Sequence, residues 1–209
     1  MTQPEDSSPA PRGRPVRSPE HIAETRAHIA ACALNLFHQE GYAAISIRRL
    51  ALESGCTPMT LYKYFENKFD ILRTLWADVI GELFDGLDDI AAGEPDPVAR
   101  LYAVAQGYVA FWLQHRDHYF LVFMSGGITQ DDVRAFVDDA VLITRFDLLR
   151  TCLADARADG IEASKLGAKS ELLFCALNGI AQGLITISGY PWPEPETLVR
   201  GAVDGALKT

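Results

Sequence analysis

The chain has 209 residues, 48% of them apolar, and a formal charge of −9. That apolar share suffices for one compact unit or two small subdomains with a buried core. No uninterrupted apolar run approaches the ~18 residues of a membrane span. The first residues carry no apolar leader core, so the expected location is the cytoplasm, and the isolated Cys32, Cys56, Cys152 and Cys175 lack metal-ligand spacing and read as reduced thiols.

Residues 1–17 are rich in Pro, Ser and charge and read as a disordered basic arm holding Arg12 and Arg14. Ser18-Pro19-Glu20 starts a first helix, with Ile22, Ile29, Ala33, Leu36 and Phe37 expected inward. Residues 46–68 then read as two short helices hinged at Gly55, followed by the start of a third. Ser46 caps the first of these, and Ile47, Leu50 and Ala51 make its apolar face. Arg48 and Arg49 point away from that face. Gly55 stands where a positive φ ends the helix. Thr57-Pro58 restarts the chain with a capping hydroxyl and a proline in the first turn. In the helix that follows, Leu61 and Phe65 pack inward at i, i+4, leaving Met59, Thr60, Lys63 and Tyr64 outward and Tyr62 at the flank. Asn67 with Asp70 forms a capping box for the next helix, and Lys68 sits in its first turn, where the helix dipole disfavours a cation.

From Asn67 onward only helical periodicity recurs. The expected helices run from Lys68 to about Ala91, Pro97 to Gln114, near His118 to Met124 with a stop at Gly126-Gly127, 130–158 ending before Gly160, 163–188, and 195–207. In the first, Ile71, Leu72, Leu75, Val79, Leu83 and Leu87 line one side. Residues 163–188 carry a heptad-like seam through Leu166, Leu173, Leu177, Ile180, Leu184 and Ile187, a stripe that by itself reads first as core and otherwise as a subunit interface. Asn178 and Gln182 lie one turn apart on that otherwise apolar helix, suited to a mutual, cross-dimer or ligand hydrogen bond. His115 and His118, at i, i+3, read as a solvated helix end and not as metal ligands.

Two helices hinged at a glycine are the layout of a helix-turn-helix, whose second helix enters the DNA major groove. The outward Thr, Met, Tyr and Lys set offers hydroxyls, phenols and an ammonium to phosphates and base edges; a purely solvated face would carry more Glu. The net charge does not oppose this. Residues 1–75 hold nine Lys/Arg against eight Asp/Glu, and residues 76–209 hold ten against twenty. Acidity is therefore concentrated outside the helix-turn-helix, and phosphate binding is decided by local charge.

Phe37, Gly41, Tyr42, Ile47, Leu50, Ala51, Gly55, Leu61, Tyr62, Tyr64, Phe65, Lys68 and Leu72 carry a specific resemblance over residues 22–75. The segment resembles the TetR/AcrR family of bacterial transcription regulators. The resemblance implies an all-α fold of about nine helices: a DNA-binding domain over 18–66 and a helical ligand-binding and dimerisation domain over 67–209. It implies that Tyr62 and Lys68 hold phosphates, and that Thr57, Pro58, Met59, Thr60, Lys63 and Tyr64 lie at or near the groove. Arg48 could read a guanine edge. Arg12-Gly13-Arg14-Pro15 resembles the AT-hook core, an arginine segment for narrow A·T-rich minor grooves. Leu173, Leu177, Ile180, Leu184, Leu198 and Ala202 would form a homodimer seam, and the operator would be palindromic. Aromatic and polar residues of the larger bundle, Tyr108, Phe111, Trp112, Phe123, Phe146, Phe174, Asn178 and Gln182, would line a pocket for a small apolar or aromatic effector. The expectation is a repressor released from double-stranded DNA by that effector. In the alternative, a protein partner occupies the bundle instead. No phosphate loop, nucleophile elbow, metal cluster or acid–base pair points to an enzyme, so no cofactor or metal is expected.

Overall fold

The computed structural model describes residues 18–41, 45–125, 129–131, 134, 140–157 and 163–208. The arm with Arg12 and Arg14, Tyr42, Gly126-Gly127 and Gly160 lie outside the described residues. Among the described residues nine helices follow one another and no strand occurs: α1 (Pro19–Glu40), α2 (Ile47–Glu53), α3 (Pro58–Leu61), α4 (Lys68–Gly93), α5 (Pro97–Gln114), α6 (Arg116–Phe123), α7 (Ala140–Asp155), α8 (Ala163–Thr186) and α9 (Pro195–Leu207). This is the expected all-α plan. Of the long helix read over 130–158, α7 is the continuous described part, and it ends at Asp155.

The starts and stops follow local chemistry. Ser18 Oγ accepts from His21 N at 3.3 Å, Ser46 Oγ from Arg49 N at 3.2 Å, and Thr57 Oγ1 from Thr60 N at 3.1 Å. Each bond satisfies a backbone donor that a helix start leaves open. Gly55 takes φ +65° between α2 and α3, a left-handed conformation that a Cβ would strain. The capping box before α4 is displaced by one position. Asp70 N donates to Asn67 Oδ1 at 2.9 Å as expected, but Asp70 Oδ2 accepts from Glu66 N, not from Asn67 N.

α1, α2, α3 and the start of α4 form the small N-terminal bundle, α1 packing on both α2 and α4. In the larger bundle α5 is the central helix, touching α4, α6, α7, α8 and α9. α4 belongs to both. Its apolar side, Ile71, Leu72, Leu75, Val79, Leu83 and Leu87, is fully buried as expected, together with Trp76, Ile80 and Phe84. The indole of Trp76 donates to the carbonyl of Leu121 at 2.9 Å, tying α4 to α6.

Two expected orientations differ. Ile22 is 41% exposed, because the first turn of α1 projects beyond the helices it braces. In α8 the seam faces the chain's own core: Leu173 and Leu177 are completely buried, and Ile180 and Leu184 pack partly against the same core. α5 and α9 already cover that side, so Leu173 and Leu177 are core residues and not a surface for a second subunit.

Candidate nucleic-acid interface

α3 is a single turn of four residues. Leu61 and Phe65 are completely buried beneath it, so its other side faces solvent. Met59 is 76% exposed, and Pro58, Tyr62 and Lys63 are also exposed. Thr57 and Thr60 hydroxyls lie 3.0 Å apart and bond each other, which commits one hydroxyl hydrogen internally. Tyr64 departs from the outward reading at 6% exposed. The reason is the shortness of α3: after Leu61 the chain turns, helical spacing no longer applies, and the Tyr64 ring folds inward.

The two arginines of α2 differ in availability. Arg49 bonds Glu40 at 3.0 Å and Glu53 at 3.2 Å. Arg48 is exposed and has no ion pair among the described residues. Lys63 is likewise exposed with none. Lys68, at the first position of α4, has its pKa lowered by partial burial. An open crevice of about 570 Å³ runs beside this surface, lined by Arg26, Tyr62, Lys63, Asn67 and Arg73 among others.

One residue of consequence was not singled out in the sequence. Arg26 of α1 donates to the Tyr64 carbonyl and, at 3.5 Å, to Thr74 Oγ1. Its guanidinium stacks 4.4 Å from the Phe65 ring centroid and lies 4.0 Å from Asp70 Oδ1. It thereby joins α1, the turn after α3 and the first turns of α4. The signal was present: Arg26 falls between Ile22 and Ile29 at helical spacing, a cation on an otherwise apolar stripe.

The aromatic residues of the larger bundle separate into two groups. Tyr108, Phe146 and Phe174 line a nearly closed apolar crevice with Phe84, Val104 and Leu177. Its volume is about 20 Å³, room for one water. The Tyr108 hydroxyl donates to Asn178 Oδ1 at 2.8 Å, and Asn178 Nδ2 donates to the Phe174 carbonyl at 3.1 Å. Burial pushes the Tyr108 phenol well above its usual pKa, so it remains a donor. Phe111 and Phe123 lie off this crevice, stacked edge-on against Trp112 with centroids 5.1 and 5.2 Å away. Trp112 is completely buried, and its Nε1 lies close enough to Tyr108 to influence the phenol but makes no well-formed hydrogen bond among the described residues. Gln182 is exposed: one turn beyond Asn178 it is rotated by about 40° around α8, past the edge of the packed side, and it does not line the crevice.

Comparison with known proteins agrees with this geometry. The family model described as bacterial regulatory proteins, tetR family, matches residues 29–75. The chain is 28% identical over 124 residues to the HTH-type transcriptional regulator HbdR of Aromatoleum sp. (strain CIB), covering 59% of this chain and 54% of that one. It is 34% identical over 70 residues to the HTH-type transcriptional regulator AcrR of Shigella flexneri, covering 32% of this chain and 33% of that one. The matched stretches thus span about half of HbdR and a third of AcrR. In structure the chain is similar to the transcriptional regulator FadR of Bacillus subtilis, solved in complex with stearoyl-CoA, with a TM-score of 0.68, 14% identity, and 87% of this chain and 97% of that chain covered. Gly55 at positive φ and the exposed single turn after it fall within residues 29–75, the segment that matches the tetR family of bacterial regulatory proteins.

Proposed function

We propose that the protein is a DNA-binding transcriptional repressor that acts as a homodimer and leaves its operator when an apolar or aromatic small molecule enters the larger bundle. The observation that carries the DNA-binding half is the outward side of the turn Pro58–Leu61, together with two exposed cations that have no ion pair among the described residues, Arg48 and Lys63. In this reading residues 18–66 are the DNA-binding domain and 67–209 the effector and dimerisation domain. α3 enters the major groove, where Thr57, Pro58, Met59 and Thr60 approach base edges, Arg48 reads a guanine, and Tyr62, Lys63 and Lys68 hold phosphates. Tyr64 acts from below, by fixing the turn. Arg12 and Arg14 reach the neighbouring minor groove.

The reading is tested on an operator selected from random duplexes. Lys68→Ala should lower the slope of log affinity against log salt by about one phosphate's worth, and Arg48→Ala should relax preference at one base pair by about 1–3 kcal/mol. An unchanged slope and unchanged selectivity, measured by fluorescence anisotropy, would remove both residues from the interface.

For the dimer, the exposed side of α8 supports a seam shifted from the one read in the sequence. Leu172, 71% exposed, is followed by exposed Cys175, Gly179 and Gln182 at three- and four-residue spacing, and α9 adds exposed Gly201 and Gly205. Small residues beside one large apolar side chain let two helix pairs approach closely. Ile180, Leu184, Leu198 and Ala202 are half-buried within the chain. Leu172→Glu should raise the dimer dissociation constant by about tenfold or more; sedimentation velocity showing an undisturbed dimer would move the seam elsewhere. A two-fold dimer places its recognition helices on half-sites about 34 Å apart, or a multiple of that.

For the effector, the support is the crevice between α4, α5, α7 and α8, the part-buried Tyr108–Asn178 pair beside it, and the neighbouring Trp112 Nε1, which makes no well-formed hydrogen bond among the described residues. The structural neighbour FadR was solved with stearoyl-CoA, and a long-chain acyl compound is the first class to test here. At about 20 Å³ the crevice admits such a ligand only if helices separate. The ligand would therefore favour an opened state by its difference in affinity between the two.

A further inference from the structure

His115 and His118 have no metal spacing by themselves, but folding brings a third histidine from another helix. His38, in the last turn of α1, places Nε2 2.9 Å from Asp117 Oδ2 at the start of α6. The His38 and His118 ring centroids are 6.1 Å apart. One ligating atom from each of His38, Asp117 and His118 lies within 4.8 Å of the other two. His118 Nδ1 is buried and has no hydrogen-bond partner among the described residues. Glu82 of α4 adds negative potential at His118.

We propose that His38, Asp117 and His118 form a binding site for a divalent first-row transition ion of the zinc class, bridging α1 and α6. Two imidazole nitrogens and one carboxylate oxygen suit zinc and its borderline neighbours, whereas calcium and magnesium take oxygen ligands. A tetrahedral ion with bonds of about 2.0–2.2 Å sets its ligand atoms roughly 3.4 Å apart. From separations of up to 4.8 Å the longer edges must close by about 1.4 Å at most, while the His38–Asp117 pair, at 2.9 Å, opens by about half an ångström; His38 and Asp117 are exposed enough to rotate. Their exposure also leaves the fourth position open to water. The ion would replace the His38–Asp117 contact and give the half-buried His118, whose Nδ1 has no hydrogen-bond partner among the described residues, a ligand role. The site does not depend on the DNA-binding reading: it joins two helices whatever the N-terminal bundle binds.

Calorimetric titration of the chelator-treated full chain with Zn²⁺ tests the site. The expected result is one ion per chain, weakened at least about tenfold by each of His38→Asn, Asp117→Asn and His118→Asn. Cys32→Ser and His28→Asn should retain uptake, since the Cys32–His28 pair, 3.9 Å apart, is the thiol–imidazole contact that could compete for zinc. Thermal melts supply the second measurement: zinc should raise the midpoint of the parent chain and not of the three ligand variants, whose metal-free melts establish that they are folded. No saturable uptake below about 100 µM zinc would overturn the proposal. So would uptake that survives His38→Asn and Asp117→Asn, or that is lost instead in Cys32→Ser or His28→Asn.

Discussion

Replacing Arg26 with alanine should cost about 2–4 kcal/mol of stability and most of the operator affinity. Arg26 makes a charged hydrogen bond to the Tyr64 carbonyl and stacks on the completely buried Phe65. A charge-assisted hydrogen bond contributes about 1.5–3 kcal/mol, and a partly desolvated cation–π contact adds about 1–2. The Tyr64 carbonyl would also lose its guanidinium donor. The turn that sets α3 on α4 would loosen, so the groove-facing residues would no longer be presented as one surface. Arg26→Lys should recover less than half of the loss, because an ammonium cannot stack flat on Phe65 while donating in a fork. Urea unfolding and anisotropy on the selected operator measure the two effects. A stability loss under about 0.5 kcal/mol in the alanine variant, or full rescue by lysine, would refute the role.

Trp112→Ala should be the most damaging single change in the larger bundle, at about 3–5 kcal/mol. The side chain is completely buried on the central helix, with Tyr108, Phe111, Tyr119 and Phe123 edge-on around it. α5 touches five other helices, so the cavity cannot close without moving several of them. Trp112→Phe separates packing from hydrogen bonding. It keeps most of the apolar volume and removes an N–H that makes no well-formed hydrogen bond among the described residues. Its stability should stay within about 1.5 kcal/mol of the parent. If the effector accepts from that N–H, the phenylalanine variant should need more acyl compound to release the operator. Chemical unfolding that finds less than about 1 kcal/mol lost in Trp112→Ala would sink the packing argument.

The sequence was most legible where local chemistry decides structure. Ser18, Ser46, Thr57 and Asn67 cap the helices they were expected to cap, because capping needs only a side-chain oxygen and the next turn of backbone. The last helix spans Pro195–Leu207, the expected 195–207, bounded by its own proline and by the end of its apolar pattern. Readings failed where the partner was non-local. A heptad-like pattern says that Leu173 and Leu177 are buried, but not whether α5 or a second subunit buries them. Tyr64 was misplaced because helical spacing was extended past a helix of one turn. His38 was invisible as a neighbour of Asp117, 79 positions away in the sequence, with only the fold to join them. Asn178 required the phenol of Tyr108, one helix away, before its place on an apolar face made sense.

α4 is one unbroken helix of 26 residues, which makes it a rod of about 39 Å. Its far part forms a wall of the crevice at Phe84 and Leu87, and its near end begins at Lys68 beside the exposed turn. Geometry then sets a mechanical advantage. A tilt of about 5° about the far end swings the near end by about 3.4 Å. In a two-fold dimer the two swings add, so the separation of the recognition turns can change by about 7 Å against a helical repeat of about 34 Å. If the protein acts as the proposed dimer on DNA, opening the crevice by a few degrees would put its two exposed turns out of phase with the duplex.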